Sequence, residues 1–98
     1  MNDQLSALEQ VWADYPFPSP YIIKVIARAE TESLSTRLLA AAAQVLGEID
    51  VSQACIGQRR SSQGKYLSLT FELTVHSVAQ IKALYQSLGR QPGVLMVM

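Results

Sequence analysis

Between Tyr66 and His76 polar and apolar residues alternate with hardly a slip. Leu67, Leu69, Phe71, Leu73 and Val75 fall on one side of the chain. Tyr66, Ser68, Thr70, Glu72, Thr74 and His76 fall on the other. A period of two over this length is the signature of a strand with one face buried and one face presented. A turn over Ser61–Lys65 precedes it, with Gly64 as the expected positive-φ residue. Whatever else the chain does, it must place this strand inside a sheet and cover its leucine row.

The remaining segments supply the neighbours and the cover. Leu5, Leu8, Trp12 and Tyr15 recur at helical spacing, so a short amphipathic helix is expected there. Pro16, Pro18 and Pro20 end it and keep the lead-in extended. Trp12 and Phe17 are expected to anchor this lead-in on the domain. The first strand runs from Tyr21 to Ala29. Tyr21, Ile23, Val25 and Ala27 form its inner row, and Ile22, Lys24, Ile26 and Arg28 form the row toward the open face.

Thr31 or Ser33 is expected to cap the next helix, with Glu30 and Glu32 at its positive end. Leu34, Leu38, Ala41, Ala42 and Val45 make its buried stripe, and Gly47 ends it. Val51 to Arg60 is a weaker, more polar strand suited to an edge, and Gly57 within it marks a bulge or a close approach. Ser77 to Gln80 fits a capping box for the second helix, whose apolar stripe is Val78, Ile81, Leu84, Tyr85 and Leu88. Gly89 and Pro92 close that helix, and Val94 to Met98 is a final apolar strand.

The order β, α, β, β, α, β with right-handed crossovers predicts an α+β, ferredoxin-like βαββαβ sandwich. Its sheet is four-stranded and antiparallel in the order 4-1-3-2, with both helices on one face and the short N-terminal helix in addition. Residues 1–19 form the N-terminal helix and Pro-rich lead-in, and residues 20–98 form the domain.

Composition narrows the function classes. The chain has 98 residues, of which 49% are hydrophobic and 16% charged, and its formal net charge is zero. The size predicts one domain with one core. No overall basic excess announces a nucleic-acid binder. Met1 to Ala13 lacks the pattern of a signal peptide, and Leu38 to Gly47 is too short to span a bilayer. The expected setting is cytoplasmic, with no membrane role.

The search for chemistry mostly eliminates. His76 is the single histidine; Glu72 and Ser77 lie near it in the pattern without making a triad. Cys55 is the single cysteine and is expected to be a buried structural thiol. No catalytic residue, cofactor or metal site is predicted. The Cys-x-x-Cys loop of copper chaperones is absent. Asn2 is the single asparagine, so the acylphosphatase arrangement fails as well. RNA-recognition motifs share the strand order, but this open face offers Tyr66 and a central Glu72 rather than paired aromatics.

Two features remain. The turn concentrates positive charge, so Arg59, Arg60, Ser61, Ser62, Gly64, Lys65 and Tyr66 are the candidate ligand-binding residues, for an anion or small metabolite. A solvated hairpin whose charges discourage edge pairing is the plainer alternative. The second feature is the open sheet face, carrying Lys24, Arg28, Ser68, Thr70, Glu72, Thr74 and His76.

Three strings carry a family resemblance. They are Ser61-Ser62-Gln-Gly64-Lys-Tyr66-x-Ser68, Phe17-Pro18-Ser-Pro20-Tyr-Ile-Ile-Lys24-Val25, and Leu84-Tyr85-x-x-Leu88-Gly89. Together they resemble the YbeD-like family of small bacterial proteins of unknown function. The likeness runs from Ser61 through Met98 and is looser in the first helix and second strand. It implies a ferredoxin-like, ACT-like fold in a bacterial cytoplasm, and no catalytic residues. Likeness to ACT domains implies regulation by ligand or partner binding, often in oligomers. The loop Ala29-Glu30-Thr31-Glu32-Ser33 lacks the glycine that ACT ligand sites commonly use.

These readings lead to a non-enzymatic, ACT-like regulatory or adaptor domain acting as a dimer and through a protein partner. The apolar edge Val94 to Met98 invites pairing. An anion- or metabolite-sensing domain is the alternative, and RNA binding follows it.

Overall fold

The computed structural model describes residues 16–47 and 54–98. The helix expected over Leu5–Tyr15, with Trp12 in it, and the expected strand residues Val51–Gln53 lie outside them. In chain order the elements are β1 (Ser19–Arg28), α1 (Leu34–Leu46), β2 (Cys55–Arg60), β3 (Tyr66–Val75), α2 (Val78–Gly89) and β4 (Val94–Val97). The strands form one antiparallel sheet in the order β2-β3-β1-β4, which is 4-1-3-2 counted from the other edge.

β1 and β3 are the spine. They pair over ten residues without a slip, from Ser19 opposite Val75 to Arg28 opposite Tyr66. Both strands alternate in phase, so Ile23, Val25 and Ala27 share a face with Leu69, Phe71, Leu73 and Val75, and all are buried. Leu34, Leu38, Ala41 and Ala42 of α1, with Ile81, Leu84 and Leu88 of α2, complete the same core. Phe17 packs against it as the lead-in anchor. The helices therefore cover one face and leave the other open.

The edges are irregular. β2 starts at Cys55, and its register against β3 shifts between Cys55 and Gly57, so of the two alternatives at that glycine the bulge is the one found. Cys55 is half-buried against the core rather than fully buried. β4 is four residues long, and its register against β1 shifts around Leu95. Paired backbone bonds of 2.8 Å between Lys24 and Met98 carry the contact one residue further.

The helix ends depart from expectation in two places. Ser33 is the N-cap of α1 but adopts φ 54° and makes no side-chain cap. A capping hydroxyl reaches the first-turn amides from extended backbone, which left-handed geometry denies it. Glu30 and Glu32 precede the helix, and its first turn holds no acid. At α2, Gly89 is the last helical residue, and the positive-φ glycine is Gly93, at the entry to β4. Gly93 also lies against Thr31: a Cβ there would collide with the Thr31 side chain. The other α2 end behaves as a displaced capping box. Ser77 Oγ accepts from Gln80 N at 3.2 Å, while the Gln80 side chain accepts from His76 N at 2.6 Å.

One polar tie crosses the apolar layer. The Tyr21 and Tyr85 hydroxyls are 2.8 Å apart, joining β1 to α2, and their rings meet edge to face at 6.4 Å. Burial, then the hydrogen bond to Tyr85, pushes the Tyr21 hydroxyl above the ordinary tyrosine range.

These contacts set the cost of three substitutions. Gly93→Ala combines left-handed strain with overpacking against Thr31 and should cost about 2–4 kcal/mol in urea denaturation. Gly64→Ala shares the positive φ but has open space, meeting only Arg60 Cδ at 3.9 Å, and should cost about 1 kcal/mol. Tyr21→Phe strands a hydroxyl on Tyr85 and should cost about 1 kcal/mol at neutral pH. Above about pH 10 the unfolded chain releases the Tyr21 proton while the folded chain keeps it, so stability falls as pH rises. In Tyr21→Phe that alkaline decline should be shallower by the same measurement.

Candidate functional site

The turn between β2 and β3 is closed by its own backbone. Ser61 N donates to Tyr66 O at 2.8 Å, and Gly64 N donates to Ser61 O at 2.9 Å. Ser61 Oγ accepts from Tyr66 N at 3.1 Å. Because that hydroxyl is used as an acceptor, its proton is available to another group. Arg60 reaches back over the turn, with Nη1 donating to Gly64 O at 3.4 Å.

Beside this turn the open face sinks into a groove of about 400 Å³. Ile26 of β1, Arg59 and Arg60 of β2, Ser61 and Ser62 of the turn, and Tyr66, Leu67 and Ser68 of β3 line it. The register explains the gathering: Arg59 lies opposite Ser68, and Ser68 lies opposite Ile26. One rung nearer the turn, Tyr66 lies opposite Arg28. Of the seven candidate ligand-binding residues, Arg59, Arg60, Ser61, Ser62 and Tyr66 come together here. Gly64 and Lys65 shape the turn without lining the groove.

Among the described residues its charge has no ion-pair partner: Arg28, Arg59 and Arg60 make no ion pair there. All eight lysines and arginines of the chain fall within the described residues, whose acids are Glu30, Glu32 and Glu72. On the open face the acid is Glu72, four residues along β3 from Ser68, which is roughly 13 Å at strand rise. That exceeds a Debye length of about 8 Å at physiological salt, so Glu72 hardly offsets the groove.

The other half of the open face carries apolar side chains around Lys24. Ile22 is 52% exposed, Met96 54% and Met98 50%. Met96 lies opposite Ile26, and Met98 pairs through its backbone with Lys24. The strip thus runs from β1 onto the outer strand β4. Lys24, Glu72, Thr74 and His76 are exposed on this face, while Ser68 and Thr70 are half-buried within it. His76 stands at the far end of β3 from the turn, with its backbone N–H engaged by Gln80.

Sequence reasoning set Ile26 in the outward row without naming it as a groove residue, and it missed Met96 and Met98 as members of this surface. Ile26 was legible, because it shares the outward row of Lys24 and Arg28. The methionines were not, because a uniformly apolar strand has no pattern to say which side faces out. Among the described residues, no three His, Cys, Asp or Glu side chains gather into a metal-holding group. No helix there is long and apolar enough to cross a membrane.

Comparison with known proteins agrees with this architecture. The chain resembles the solved structure of protein HP0495 from H. pylori, with a TM-score of 0.58 at 15% identity, over 85% of this chain and 84% of that one. At that identity the likeness speaks to fold alone. No curated protein matches the chain. A family model described as a protein of unknown function, DUF493, matches residues 14–98, and it corresponds to the YbeD-like resemblance. With that match over most of its length, the chain belongs to the DUF493 family.

Proposed function

We propose that this chain is a non-enzymatic, ACT-like regulatory or adaptor domain of the bacterial cytoplasm that works by self-association and partner binding. The observation that carries this reading is the strip Ile22, Met96 and Met98, half-exposed on a sheet face and running onto the outer strand. Contiguous apolar surface of this kind is characteristic of an interaction site. β4 adds an outer edge with no charge and no proline, the features by which strands usually repel pairing. The occupant we favour is a second copy of the chain, because an edge beside an apolar strip is self-complementary across a two-fold axis. On the open face Glu72 and His76 stand four residues apart along one strand row, roughly 13 Å at strand rise, too far to pass a proton between them, which suits holding a partner better than acid–base chemistry.

The full chain should sediment as a dimer at high micromolar concentration. Met96→Glu places a charge in the strip and should return it to a monomer while its circular dichroism stays that of the parent. A parent chain that sediments as a monomer would remove this reading.

The groove, whose charge has no ion-pair partner among the described residues, favours a second reading, in which the domain senses an anion. Arginine presents paired donors that match phosphate or carboxylate. Inorganic phosphate at millimolar concentration should raise the melting temperature of the parent by mass action, and Arg60→Ala should abolish the rise. An unchanged melting temperature in the parent would argue against it.

A further inference from the structure

We infer that the groove beside the β2–β3 turn takes a nucleoside monophosphate, its phosphate on Arg59, Arg60 and Ser61 and its base laid on Tyr66. This rests on the anion-sensing reading and names its ligand class. Three observations argue for it. First, Arg59, Arg60 and Ser61 all line the groove. Arg59 and Arg60 make no ion pair among the described residues, and Ser61 keeps a hydroxyl proton to give. Two guanidinium groups and a hydroxyl suit a dianion better than a single carboxylate.

Second, the groove is not polar throughout. Ile26 forms part of its lining, and Tyr66 is 47% exposed beside it. Inorganic phosphate would leave that surface unused. Arg59 is opposite Ser68, and Tyr66 lies two residues from Ser68 on the same strand. Diagonal neighbours of this kind lie about 7–8 Å apart at the backbone, so a long arginine side chain and a tyrosine ring can reach the two ends of one mononucleotide. Arg28, directly opposite Tyr66, adds a cation next to the stacked ring.

Third, the face stops offering purchase after one base. Along β3 beyond Tyr66 the open-face side chains are Ser68, Thr70, Glu72 and Thr74. None can stack, and Glu72 would repel a following phosphate. Stacking platforms for single strands repeat their aromatics along the track. A groove of about 400 Å³ is also near the lower end of sites that hold one small molecule.

The test is a titration of the full chain with adenosine monophosphate, inorganic phosphate, adenosine and single-stranded oligoadenylate, followed by calorimetry and amide shifts. Adenosine monophosphate should bind about tenfold tighter than phosphate, the share expected of one stacked base. The shifted amides should centre on Ile26, Arg59 to Ser62, and Tyr66 to Ser68. Tyr66→Leu should remove that tenfold margin and leave phosphate binding intact. Arg59→Gln should weaken both ligands several-fold. Both positions are exposed, and amide spectra of the variants report that the fold is kept. Adenosine monophosphate binding no tighter than phosphate, or unaffected by Tyr66→Leu, overturns the nucleotide while leaving the anion reading in place. Binding of neither at millimolar concentration overturns both. Oligoadenylate binding tenfold tighter than the monophosphate overturns the small ligand in favour of a single strand.

Discussion

Everything on this molecule is referred to one ladder. β1 and β3 pair rung for rung from Ser19 and Val75 to Arg28 and Tyr66. Side chains alternate between faces, so a slip of one residue in that ladder would exchange the two faces completely. Phe71 would move into water and Glu72 into the core. The same register that buries Ile23 and Leu69 therefore also sets Arg28 beside Tyr66 and Ile26 beside Ser68. Core and candidate site are two readings of one alignment of strands, and neither could shift without the other.

The ladder also explains what was legible in the sequence. A buried face leaves a period-two trace, and both central strands carry it. Their inner rows, their outer rows and the two helical stripes followed directly. What escaped depended on contacts distant in sequence. Gly93 drew no notice in the sequence, because its closeness to Thr31 is visible only once β4 lies beside β1. Ser33 was expected to cap by its chemical type, but at the entry to α1 its own backbone is left-handed, which type alone does not reveal. Tyr21 and Tyr85 were each placed in an inward apolar row. Their hydroxyls meet because α2 crosses over the start of β1, a relation no local pattern encodes.

The candidate site was legible in part for the same reason. Five of its residues are contiguous or nearly so in the chain, so a local concentration of charge and hydroxyls marked them. Ile26 enters from β1 and Arg28 stands at its margin, so their share of the surface required the register. The two halves of the open face then separate by chemistry, cationic toward β2 and the turn, hydrocarbon toward β4. Such a face can hold an anion at one side and a protein at the other without the two competing for the same atoms.

The shortness of β4 gives that division a dynamic meaning. Four strand residues, one of them out of register, hold it to β1, with the backbone bonds of Gly93 and Met98 at its two ends. Short outer elements with few ladder bonds open at low free energy, well below the global cost of unfolding. A partner that pairs with this edge would therefore complete the strand as well as cover it. Protection of the β4 amides from exchange with solvent would then depend on protein concentration, while that of the β1–β3 ladder would not. Order at the outer strand would be a property of the assembly, and order at the centre a property of the chain.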